Sequence, residues 1–434
     1  MEGRSQWHSV TLDEGTCKGC TNCLKNCPTQ AIRIQKSKAK ILKERCIDCG
    51  ECIRVCPYHA KKAVTDSLDI PDRFKYKVAL VAPAFYGQFS RAESIDMILS
   101  AVRKVGFDDV FEVSRGAQAA TERTRELLAS GELLKPTISS ACPAVVKLIT
   151  VRFPNLINHV IPIKAPMELA AAMARRRAVE KTGLSPEEVA IVFISPCAAK
   201  ATEVHFARTV EKSQVDFVVS MKEVYLKMAQ QIGKMKDGDI AKESFSGSES
   251  ILWAVSGGEA NATHTERNIA VDGIHNVIRV LEDIEDEKLD DIDYVEALAC
   301  TGGCVGGPLT AENNFVARSR LMTLVKPIDP ELCGIDADID TMWDRPVVYR
   351  PVMKLNTDMK QAMEMIMKID EFCDNLPGLD CGSCGSPSCR CFAEDVVKGY
   401  ANPDDCIFRL KEKMMELKAE YDRLKEEVRL EKEV

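Results

Sequence analysis

Nowhere among the 434 residues do ~18 uncharged apolar positions run together, the length a helix needs to cross a bilayer, so no membrane span is expected. The opening stretch MEGRSQWHSVTLDE is polar and lacks the apolar core of a secretory signal. A global basic excess is missing too: the formal net charge is −8, which argues against a nucleic-acid binder. These absences lead to the expectation of a soluble, cytoplasmic protein. What remains is 45% apolar, enough for about two to four domains and at least one sizeable core.

Cysteine is the outlying abundance, at 19 residues. In a long chain without a secretory signal, clustered cysteines more often bind metal than form disulfides. Eight of them fall between Cys17 and Cys56 and five between Cys381 and Cys406.

Four regions follow along the chain. Residues 1–75 are turn-rich and cysteine-dense. From Tyr76 to about residue 356, strand-like runs (KVALVAPAF, VAIVFIS, VDFVVS, YVEALAC) alternate with helical ones (ESIDMILSAVRKV, MELAAAMARRRAVEK), the pattern of sheet flanked by helices. Residues 357–406 hold a helix from about Asp358 to Cys373, a stop at Leu376-Pro377-Gly378 and a cysteine cluster. Residues 407–434 are a charged helix. Its apolar positions, Ile407, Leu410, Met414, Leu417, Tyr421, Leu424 and Val428, alternate in threes and fours, as in a coiled-coil seam. Two readings stay open: a homodimer through this helix, or one amphipathic helix lying on the domain.

Cys17, Cys20, Cys23 and Cys27-Pro28 spell C-x2-C-x2-C-x3-C-P, and Cys46, Cys49, Cys52 and Cys56-Pro57 repeat it 29 residues later. In this two-cluster ferredoxin run the fourth cysteine of each set ligates the other cluster. Three closely spaced thiolates wrap one cubane, and its last corner comes from a distant segment. Cys17, Cys20, Cys23 and Cys56 are therefore assigned to one [4Fe–4S] cluster, and Cys46, Cys49, Cys52 and Cys27 to a second. Zinc would prefer two separated cysteine pairs. Residues 1–75 carry 14 Lys/Arg against 9 Asp/Glu, a surplus of 5 that suits an acidic redox partner or simply a solvated basic face.

Three motifs in the α/β region, SSACPAVV (Ser139 to Val146), SPCAAKATE (Ser195 to Glu203) and EALACTGGCVGGP (Glu296 to Pro308), each put a cysteine at the end of a strand-like run. Ligand sites of α/β folds gather there. Cys142, Cys197, Cys300 and Cys304 suffice for one cubane, and Gly302, Gly303, Gly306 and Gly307 are expected to leave backbone room beside it. Buried structural cysteines are the bland alternative, and three separated segments of one design speak against it.

With these motifs in this order the chain resembles the [FeFe]-hydrogenase family. The resemblance implies that Cys142, Cys197, Cys300 and Cys304 hold the cubane of an H-cluster. It further implies that Cys304 bridges to a two-iron subcluster bearing CO, CN⁻ and an azadithiolate, and that Lys200 hydrogen-bonds a cyanide. Ala82, Pro83 and Ala84 of VAPAF, Pro166 and Met167 of a second turn, Ser195, Pro196 and Glu203 of SPCAAKATE, and Trp253 would line or support the pocket. Substrates would be dihydrogen and protons, with electrons exchanged through the cubanes with a ferredoxin or other redox protein.

The departures from the family pattern carry equal weight. Ala141 stands where the family has a proton-carrying cysteine, Leu298 where it has a methionine, and Ser195 where it has the methionine of MPC. These traits resemble the divergent branches regarded as hydrogen sensors, in which turnover is expected to be slow. Glu259, and less favourably Glu168, are candidates for a replacement relay. Cys381, Cys384, Cys389 and Cys406 resemble the small [4Fe–4S] domain of several redox and sensory proteins, with zinc the alternative. Cys391 is surplus, and Cys333 and Cys373 are expected to be ordinary buried cysteines.

The expected architecture is an α/β catalytic domain of mixed sheets flanked by helices. A ferredoxin-like α+β domain precedes it, and a small Fe–S domain and a terminal helix follow. The expected function is reversible H2 oxidation, serving a hydrogen sensor with a signalling partner. The alternative is a hydrogenase-like iron–sulfur assembly or carrier protein that never takes up the two-iron unit.

Overall fold

The computed structural model describes residues 7–330 and 338–433. Cys333 lies outside the described residues. The chain divides into two compact units. One comprises Met1–Thr11, Ile47–Arg54 and Lys62–Arg350; the other comprises Leu12–Cys46, Val55–Lys61 and Pro351–Val434.

The first unit is built on two parallel sheets. In the larger, the strands Asp109–Glu112, Tyr76–Val81, Val189–Ser195 and Phe217–Ser220 lie side by side in that order, all parallel. All seven residues of Val189–Ser195 are buried, as a central strand covered on both faces requires. The smaller sheet orders Asn268–Asp272, Tyr294–Leu298 and Thr137–Ile138, again parallel. Each sheet has its own apolar core, the first around Leu80, Phe193 and Met173, the second around Val145, Val277 and Val295. Helices Val113–Ser130 and Pro166–Thr182 close on each other at Gly116, where a Cβ would stand 2.1 Å from the Pro166 carbonyl oxygen. Parallel strands send their C-terminal ends the same way, and the loops that leave those ends carry the cysteine motifs.

The second unit contains the hairpin Ile32–Gln35 with Lys38–Ile41. Its two-residue loop, Lys36-Ser37, has φ of +49° and +59°, both left-handed as a tight hairpin demands. The hairpin is tied to the C-terminal cysteine loop: the Ile34 amide donates to the Gly385 carbonyl at 2.8 Å. Arg33 is buried beneath it. Its Nε and Nη2 donate to the two carboxylate oxygens of Asp395, at 2.5 and 3.1 Å, and Nη2 also reaches the Cys391 Sγ at 2.8 Å. Helices Met359–Asp374 and Cys389–Val397 pack through Phe372 and Phe392, whose ring centroids are 6.0 Å apart. Ile369 is the one buried residue of the first of these helices, so Cys373 is half-buried rather than buried as expected. The final helix runs Ile407–Glu433. Among the described residues no helix is long and apolar enough to cross a membrane.

Candidate metal centre

Three strands, two of the smaller sheet and one of the larger, deliver the central cysteines. Cys142 follows the strand Thr137–Ile138 and caps helix Pro143–Arg152, and Cys197 follows Val189–Ser195 and caps helix Ala198–His205. Cys300 and Cys304 follow Tyr294–Leu298. All four line one cavity of the first unit. Cys142 and Cys197 therefore occupy the N-cap positions of those two helices.

Burial pushes the Cys197 thiol up to about 12, with Cys142 and Cys304 adding to the shift and Lys200 opposing it. Burial likewise raises Cys300 and Cys304. Protons alone make this a poor arrangement, since burial and the neighbouring cysteines oppose ionisation of Cys197, Cys300 and Cys304. A metal group resolves it, because thiolates that repel each other all bind the same cation. The donor set is soft and entirely sulfur, which fits an iron–sulfur cubane. Lys200 lines the same cavity, and although burial opposes its charge, Cys304, Cys197 and Cys142 hold it above the ordinary lysine value.

Ala82, Pro83, Ala84, Ala141, Pro166, Pro196, Trp253, Glu259 and Leu298 also line this cavity. Trp253 is fixed by its indole N–H, which donates to Thr121 Oγ1 at 3.1 Å. Met167, Ser195 and Glu203 are not among the lining side chains. Met167 is buried in the core of the larger sheet. Ser195 shapes the turn, accepting from the Cys197 amide at 3.1 Å, and Glu203 pairs with Arg208 at 3.2 Å. Glu168 accepts from Ser213 Oγ at 2.7 Å and the Gln214 amide at 2.8 Å, so it anchors a loop instead of facing the cavity. The glycines of the third motif do more than leave room. A Cβ on Gly303 (φ +91°) would stand 2.7 Å from the Ser256 amide nitrogen, and one on Gly307 2.2 Å from the Pro196 carbonyl oxygen. The loop closes against neighbouring backbone there.

Glu259, singled out from the sequence, sits in a polar cluster whose other members, Ser139, Tyr294 and Glu296, sequence reasoning missed. Ser139 Oγ and Tyr294 OH both donate to Glu259 Oε1, at 2.6 and 2.7 Å. Glu296 accepts from the Gly257 and Ala260 amides at 3.0 and 2.7 Å. Burial raises the Glu259 carboxyl, and burial together with the charge of Glu259 pushes Glu296 up to about 8. A signal was available: Glu296 is an acid inside an otherwise apolar strand.

In the second unit, Cys17, Cys20, Cys23 and Cys56 line one cavity and Cys381, Cys384, Cys389 and Cys406 another. The internal repeat recurs at the level of hydrogen bonds: the Ala31 amide donates to Cys27 Sγ at 3.2 Å and the Ala60 amide to Cys56 Sγ at 3.3 Å. Burial opposes ionisation of Cys56, yet the backbone N–H groups of Lys61, Ala60, Tyr58 and His59 bring its thiol below the ordinary value. Cys27 and Cys46 belong to this unit, Cys49 and Cys52 to the first.

Residues 75–265 and 226–308, together more than half of the chain, match the family model described as iron only hydrogenase large subunit, C-terminal domain. The chain belongs to the iron-only hydrogenase family. A 4Fe-4S dicluster domain matches residues 16–60 and an Fe–S cluster family matches 376–408. Iron hydrogenase 1 of Clostridium pasteurianum is 25% identical over 376 residues, 69% of this chain and 64% of that protein. The NADP-reducing hydrogenase subunit HndD of Solidesulfovibrio fructosivorans is 22% identical over 380 residues, with the same coverages of 69% and 64%. This hydrogenase-family chain thus spans just under two thirds of both relatives. The periplasmic [Fe] hydrogenase large subunit of Nitratidesulfovibrio vulgaris is 26% identical over 364 residues, covering 69% of this chain and 86% of that one. A variant of [FeFe]-hydrogenase HydA1 from Chlamydomonas reinhardtii shares the fold, with a TM-score of 0.51 at 16% identity over 66% of this chain and 97% of that one.

Proposed function

We propose that this chain is an [FeFe]-hydrogenase of low turnover that serves as a cytoplasmic hydrogen sensor. The observation that carries the reading is the meeting of Cys142, Cys197, Cys300 and Cys304, from three distant segments, on one cavity that also holds Lys200. In this reading Cys142, Cys197, Cys300 and Cys304 would hold an iron–sulfur cubane, Cys304 would also help to hold a two-iron unit, and the Lys200 ammonium would donate to an anionic group bound beside it. When bound, such a centre supplies the reversible oxidation of H2 to two protons and two electrons.

The chain's own residues handle the proton and the solvent. Ala141 offers no proton-carrying group at the cavity wall, so delivery falls to Glu259. Its Oε1 is preorganised by Ser139 and Tyr294, and its raised pKa lets it hold a proton at higher pH than an ordinary glutamate. Glu296, raised to about 8 by burial and by the charge of Glu259, is a second carboxyl of the same cluster. Ala82, Pro83, Ala84 and Leu298 contribute no polar side chain and exclude water. Two ferredoxin-type cubanes and a C-terminal one would exchange electrons with a ferredoxin or another redox protein. The sensory part rests on the altered lining at Ala141 and Leu298, on Ser195 in the turn that carries Cys197, and on the C-terminal cysteine domain followed by a helix. The apolar positions of that helix from Ile407 to Val428 are exposed, which suits a homodimer or a signalling partner.

Infrared spectroscopy tests the central claim. Protein matured with the two-iron unit is expected to show CO and CN⁻ bands that are absent from protein reconstituted with iron and sulfide alone. Matured protein without those bands, but with full cubane iron, would leave an iron–sulfur assembly or carrier protein.

A further inference from the structure

The fold leaves the environment of Lys61 unexplained. It is 2% exposed, its Nζ is fully buried, and no hydrogen-bond partner is found for that atom among the described residues. Buried lysines are normally paired, because an uncompensated ammonium in a dry site is strongly unfavourable. Lys61 lines the cavity of Cys17, Cys20, Cys23 and Cys56.

The internal repeat sharpens the point. With a spacing of 29 residues, Cys27 corresponds to Cys56, Ala31 to Ala60 and Ile32 to Lys61. Ile32 is equally buried, at 2%. The same place in the same motif is thus apolar in one half and cationic in the other, and packing alone does not ask for the charge. A tetrathiolate cubane is a net anion whose charge grows by one on reduction. A fixed cation beside it therefore stabilises the reduced form more than the oxidised one.

We propose that Lys61 is a tuning residue that raises the reduction potential of the cubane held by Cys17, Cys20, Cys23 and Cys56. The inference rests on the cluster reading given above. Its consequence is an electron that rests at this cubane instead of passing quickly to a low-potential partner.

The full-length chain, reconstituted anaerobically with iron and sulfide, is titrated by EPR, and the relevant signal is identified by its loss in Cys20→Ala. At fixed ambient potential, K61I (the residue of the first repeat) and K61Q are expected to shift that signal's reduced-to-oxidised ratio at least tenfold toward oxidised. For a one-electron couple this is about 59 mV. K61R is expected to stay near the unaltered protein and the other cubane signals not to move. In unaltered protein labelled with 15N-lysine, the reduced signal is expected to show hyperfine coupling to one lysine nitrogen. Unmoved potentials in both neutral variants overturn the proposal, as does the absence of that coupling, which decides alone if the neutral variants lose their iron. If no signal disappears in Cys20→Ala, the cluster assignment itself has failed and the role of Lys61 falls with it.

Discussion

Replacing Glu259 by glutamine keeps the side chain's shape and removes its ability to carry a proton. The local structure predicts that E259Q folds normally. Glutamine Oε1 still accepts from Ser139 and Tyr294, which donate to Glu259 Oε1 at 2.6 and 2.7 Å. The buried site also loses a carboxylate whose charge it disfavours. The effect falls on catalysis. A positioned acid–base group contributes about 10²- to 10⁴-fold, and Ala141 offers no proton-carrying side chain in compensation, so H2 uptake should drop by about 10²-fold or more. Infrared bands and iron content should stay as they were. In the unaltered protein burial raises the Glu259 carboxyl above its ordinary 4.5, so its limb of the pH–rate profile lies above that value. That limb should vanish in E259Q. The double variant A141C/E259Q, with a thiol at the cavity wall, should recover part of the rate. Dye-linked H2 oxidation by matured protein, read from pH 5 to 9, measures all of this. Unchanged turnover in E259Q would refute the relay.

The remaining expectations concern pH, packing and assembly. Glu296 has its folded pKa raised from 4.5 to about 8, so its stabilising contribution is full below about 4.5 and is lost as pH rises through about 8; E296Q should flatten the dependence of Tm on pH over that window. R33M leaves Asp395 buried without its cation, and breaking such a pair costs about 3–5 kcal/mol, which guanidinium unfolding and loss of the C-terminal cluster's EPR signal should report. G307A forces a Cβ to 2.2 Å from the Pro196 carbonyl oxygen, an overpacking cost of about 1–3 kcal/mol; the loop carrying Cys300 and Cys304 should shift, and bound iron should fall below that of the unaltered chain. Leu417→Lys with Leu424→Lys charges the exposed seam of the last helix, and light scattering should then show a monomer with unaltered infrared bands; a dimer that persists refutes the coiled coil.

Much of this protein is legible in its sequence because the relevant patterns are local. Close cysteine spacings, of two and three residues in the sets that begin at Cys17 and Cys46 and of two and four at Cys381, mark the iron–sulfur segments within short stretches of chain. Residues 78–81 and 189–194 announce themselves as unbroken apolar runs, since a parallel strand covered on both faces has no polar side to show. The last helix is readable because exposed helices keep their period. Asp109–Glu112 and Asn268–Asp272 escaped notice. They are short and carry acids or amides, and tertiary contacts override such weak propensities.

Only the folded chain decided which distant groups satisfy one another. Glu259 finds Ser139 and Tyr294 across separations of 120 and 35 residues, and Arg33 finds Asp395 across 362. Glu168 and Glu259 are both acids beside apolar runs, yet one ties down a loop and the other faces the cavity. Spacing along the chain cannot distinguish them. A buried polar group must be paired wherever the fold puts it, and that position is set by the packing of sheets and helices.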